Sequence, residues 1–142
     1  MGAWGMQPFE NDFALDFTAQ LFHESEAGDL SLLTEAFQDV LEAKQEGYIE
    51  ADLGSAAIAA AALVVALQQD EARAILKVQP QGQIWFEAAR QVNYAELAPK
   101  ALTALDLVLA ENSELYELWE ETDSFTEWLD SVKQLKAQLS AA

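Results

Sequence analysis

The chain has 142 residues, no cysteine, and 25 acidic against 7 basic side chains, for a formal net charge of −18. That inventory excludes disulfides, thiolate metal ligation and thiol chemistry, and its charge repels phosphates and anionic lipids, so it argues against nucleic-acid or membrane binding through basic patches. With 51% hydrophobic and 23% charged residues, six glycines and three prolines, the composition predicts one globular domain over residues 1–142, with no linker and a core built without staples.

The opening "MGAWGMQPFENDFALDF" is too apolar for a frayed end. We read residues 1–10 as an arm packed on the core. Gly2 and Gly5 let the backbone turn tightly, Trp4 and Phe9 supply burial, and Pro8 stiffens the approach to a cap at Asn11 or Asp12. No secretory leader is expected, because Gly5, Pro8 and acids break the apolar stretch and no basic cluster precedes it. Met6 stands where a myristoylation signal wants Ser or Thr. The lack of cysteine fits a reducing cytoplasm, which is the expected location.

A first helix follows from Asn11 or Asp12, with Phe13, Ala14, Phe17 and Leu21 on one face. After "SEAGD", a second helix turns Leu33, Ala36, Phe37, Val40 and Leu41 inward and Thr34, Glu35, Gln38, Asp39 and Glu42 outward. The alanine-rich run Ala56–Leu67 is apolar on every side and shorter than the roughly 20 residues that cross a bilayer, so it reads as the central, buried helix. A short helix over Asp70–Lys77 then ends in a turn at "QPQG", and "IWFEAARQV" forms one short helix or a few loose turns.

Asn93 and Glu96 form a capping-box pattern, after which Pro99 suits the first position of a helix carrying Ala101, Leu102, Leu105, Val108 and Leu109 inward and ended by Asn112. "SELYELWEE" adds a short helix with Leu115, Leu118 and Trp119 on one side. Ser124 and Glu127 box the last helix, whose stripe is Phe125, Trp128, Leu129, Val132, Leu135 and Leu139. No segment alternates with period two. The expected fold is all-α: a single bundle of six to eight short-to-medium helices around a central Ala-rich helix.

Three blocks, "MGAWG" with "PFENDFALDF", "GYIEADLGSAAIAAAALVVAL" and "LAENSELYELWEE" followed by a helix with Trp128, together resemble the domain-of-unknown-function 4259 family. They run in order over nearly the whole chain. The resemblance implies a small bacterial cytosolic domain and carries no catalytic residue or cofactor onto this sequence. In the family pattern an acid often stands inside the alanine-rich helix and another follows the N-terminal Asp; here those positions are Ala62 and Phe13.

Three groups of residues bear on function. Asp12, Asp16, Gln20 and His23 share a face of the first helix, and two carboxylates with an imidazole suit a hard or borderline divalent metal. The competing reading is the solvated side of an amphipathic helix, because a helical metal site needs ligands from a second element. Glu114, Glu117 and Glu121 beside Trp119, with Asp123, Glu127 and Asp130 following, could supply a general acid if burial raised one pKa, but the charge density and the helix dipoles at first turns make capping plus solubility the better account. Trp4, Phe9, Trp85, Phe86, Trp119, Phe125 and Trp128 could line a binding pocket, although at helical spacing aromatics usually fill a core.

His23, the only histidine, has Ser25 nearby but no strand-turn-helix elbow, and neither a dinucleotide fingerprint, a P-loop nor an H-E-x-x-H pair occurs. Missing chemistry and surplus charge point to a non-enzymatic module engaging a basic protein partner, of the inhibitor or immunity type, through Asp12, Asp16, Glu35, Asp39 and Glu42, with no cofactor. Residues 1–69 hold twelve acids against one base, Lys44, and 70–142 thirteen against six, so the negative field is strongest in the first half. The alternatives are a metal-dependent hydrolase using the first-helix carboxylates with His23, or a passive structural subunit or mimic of nucleic-acid charge, while the plain reading of the charge itself is solubility.

Overall fold

A computed structural model of the chain describes residues 12–24, 26, 29–69, 80–92 and 94–141. The arm residues Gly2, Trp4, Gly5, Pro8 and Phe9, the helix expected over Asp70–Lys77, Ser25 and Asn93 lie outside the described residues, as do the side chains of Asp12 and Phe13. The described residues form seven helices: α1 (Asp12–Glu24), α2 (Ser31–Glu46), α3 (Ala51–Gln68), α4 (Pro80–Ala89), α5 (Leu97–Val108), α6 (Glu114–Glu120) and α7 (Phe125–Ala141). No strand occurs among them. A single isolated parallel bridge joins Ile49 to Ser113. The fold is all-α.

Burial follows the apolar periodicity closely. Leu33, Ala36, Phe37 and Val40 of α2 are buried, with Leu41 at the margin. In α7, Trp128, Val132, Leu135 and Leu139 are buried between half-buried Phe125 and Leu129. The helix α3 has no polar face to turn outward, and it lies at the centre, packed on α1, α2, α5, α6 and α7. By length and composition it could cross a membrane. It is instead a core helix, 72% buried inside the fold. Its alanines let the surrounding helices approach closely, and larger side chains such as Leu63, Val64 and Leu67 fill the space between them.

Three helix boundaries differ from expectation. Residues 80–82 of the "QPQG" segment are helical rather than a terminating turn: Pro80 opens α4 and Gly82 sits in its first turn. Proline is tolerated there since first-turn N–H groups have no partner within the helix. The same reason lets α5 begin at Leu97, placing Pro99 inside the first turn rather than at its first residue. Asn112 does not end α5. That helix stops at Val108, and Asn112 is a left-handed turn residue, φ 67°, just before the next helix.

Two aromatic groups stiffen opposite parts of the bundle. Phe22 of α1 packs on Trp85 and Phe86 of α4 with ring centroids 6.1 and 6.0 Å away, and Trp85 meets Phe86 edge-on at 5.1 Å. The Trp85 indole N–H donates to the Asp29 carbonyl at 3.1 Å, tying α4 to the α1–α2 loop. On the other side Trp119 of α6 stacks on Trp128 of α7, 6.0 Å apart and 8° from parallel, with Tyr116 and Phe125 alongside. Trp85, Phe86, Trp119 and Trp128 are thus core residues. An ion pair between Lys136 and Asp106 joins α7 to α5.

Candidate functional site

The acids proposed for partner binding divide between two helices. Asp16 is exposed on α1, whereas Glu35, Asp39 and Glu42 are exposed on α2. Both helices pack on α3, but the other main neighbour of α1 is α4 and that of α2 is α5. Among the described residues, the acids proposed on α2 form a stripe along that helix. Spacings of four and three residues place Glu35, Asp39 and Glu42 along one face, and exposed Glu46 extends it by one further turn. Glu46 escaped the sequence reading although its spacing was available. Within the stripe the Asp39 carboxyl is held above its ordinary range, first by partial burial and then by the negative charge of Glu42.

On α1, Asp16, Gln20 and His23 are all exposed. Among the described residues no three His, Asp or Glu side chains gather into a group that could hold a metal ion. In the row Glu114, Glu117 and Glu121, the first two carboxylates reach beyond their own helix. The Schellman turn that ends α2 places Gly47 in the left-handed region, φ 107°, with its N–H donating to the Lys44 carbonyl and that of Tyr48 to Ala43. Chain reversal there carries Tyr48, Ile49 and Glu50 across the loop that precedes α6. Ile49 N–H donates to the Asn112 carbonyl at 2.8 Å, and Glu114 N–H returns the bond to the Ile49 carbonyl at 2.9 Å.

Side chains complete this junction. Glu50, at the N-cap of α3, makes no side-chain cap, and the orphan N–H of Ala51 donates instead to Glu114 Oε1 at 2.7 Å. A carboxylate from another helix therefore caps the central one, where the α3 dipole also favours negative charge. One turn further along α6, Glu117 Oε2 accepts from the Tyr48 hydroxyl at 2.9 Å. That bond, then desolvation, then the charges of Glu117, Glu114 and Glu50 push the Tyr48 phenol up to about 12. Ser113, buried, caps α6 by accepting from the Tyr116 N–H at 3.4 Å.

The arrangement holds loops together and leaves two of the three row carboxylates committed as hydrogen-bond acceptors. Its ties join "GYIEADLG" to "ENSELYELW", two of the segments on which the family resemblance rests, 63 to 69 residues apart in the chain. No curated protein and no solved structure matches the chain. The sequence model of a domain of unknown function, DUF4259, matches residues 2–131, nearly the whole length. The chain belongs to the DUF4259 family.

Proposed function

We propose that this protein is a non-enzymatic binding module of the bacterial cytoplasm, whose acidic helical surface engages a basic partner protein in the manner of an inhibitor or immunity factor. The observation that supports this reading is the α2 stripe of Glu35, Asp39, Glu42 and Glu46, on a chain of net charge −18. Asp39 and Glu42 repel each other in the free protein, which raises the Asp39 carboxyl beyond the effect of its burial. A cation seated between them relieves that repulsion, so the stripe favours a partner rich in Lys or Arg. At physiological ionic strength the field fades over roughly 8 Å, so it accelerates encounter while apolar contacts set the lifetime of the complex.

The test immobilises the chain, captures partners from the native host at low salt, and then follows the purified complex kinetically. A basic partner is expected, associating more slowly as salt rises, with dissociation little changed. Replacing Asp39 and Glu42 together by Lys should lower the association rate and leave the circular dichroism spectrum intact, because both side chains are exposed. Acidic partners, or association indifferent to salt, would reduce the charge to a solubility device and end this reading.

A further inference from the structure

We draw no further inference here: the strongest candidate, the exposed apolar surface at Ile84 on α4, 60% exposed, with Val92 in the turn after it 47% exposed, carries nothing because nothing in the structure shows what covers it.

Discussion

The central helix α3 and the junction at its N-terminus are held by opposite kinds of force. Along Ala57–Leu67 every side chain is buried, and the stabilisation is non-directional removal of apolar surface from water. At Ala51, itself buried, the first turn of the same helix has an N–H with no partner inside the helix and needs a directed acceptor, which its own N-cap side chain does not provide. A helix apolar on all sides has few polar side chains with which to satisfy its ends. Here the acceptor is imported, as the Glu114 carboxylate of α6. Core burial fixes where α3 lies, and the junction fixes how α6 and the α2–α3 loop register against it.

The largest effects should come from the buried half of this comparison. Leu63 is 1% exposed at the centre of the bundle, so Leu63→Ala removes buried methyl groups and leaves a cavity among helices that can close only partly. A loss of about 2–5 kcal/mol is expected, read as a lower urea midpoint at unchanged slope. A loss below about 1 kcal/mol would mean that the surroundings of α3 collapse freely, contrary to close packing.

Gly54 sits where the two regions touch. A Cβ built there would lie 3.3 Å from Leu115 Cδ2, 3.4 Å from Leu115 Cβ and 3.7 Å from Val108 Cγ1. Gly54→Val forces branched carbons into that contact and should cost roughly 1–3 kcal/mol by overpacking. Gly54→Ala needs only a small shift of the Leu115 tip, and the gain of about 1 kcal/mol in helix propensity offsets it, leaving a near-neutral change. Thermal melts of both variants separate crowding from backbone freedom. If Val were as well tolerated as Ala, α6 would not be docked on α3 at this point.

The junction itself should respond more weakly. Glu114→Ala removes the acceptor from the Ala51 N–H and should cost about 1 kcal/mol, in the range of other helix-cap losses. Glu114→Gln keeps an acceptor without the charge and should cost less. Hydrogen exchange at Ala51 gives the local readout. Protection there should fall in the alanine variant while Ala57–Leu67 stays protected, and a uniform loss would show that the two regions do not open separately.

These regions also differed in how far sequence exposed them. Periodicity of 3.6 found the inward faces of α2, α5 and α7, because the buried stripe of an amphipathic helix is written within a dozen consecutive residues. Ala56–Leu67 announced a central helix by lacking any polar face. The α4 and α5 starts were misplaced because Pro and Gly act as breakers inside a helix and are harmless in its first turn, a distinction that residue type alone does not carry. Glu114 and Glu117 fit as first-turn acids of their own helix, which they are. Their second use, toward Ala51 and Tyr48, depends on chain segments brought together only by the tertiary fold, and no local spacing encodes it.

The smallest effect at neutral pH, and the most specific, concerns Tyr48. Its side chain is exposed and water screens its bond to Glu117, so Tyr48→Phe should lower the melting temperature at pH 7 only slightly. The signature lies in alkali. The folded chain holds the Tyr48 proton up to about 12, whereas the unfolded chain releases it near the ordinary value of 10.0. Folded protein therefore binds the extra proton between these values, so the stability contributed by this group is complete below the unfolded pKa and is lost as pH rises through the folded one. A pH-jump absorbance titration, taken as the difference between the wild type and Tyr48→Phe, should place this phenolate near 12. In Glu117→Gln the amide oxygen still accepts a hydrogen bond but the charge is gone, so the value should fall toward 10.0 without reaching it, because Glu114 and Glu50 remain nearby. An ordinary titration in the wild type would break the comparison: the hydroxyl would then not be held by Glu117, and the backbone bridge through Ile49 would carry the junction with the Glu114 cap alone.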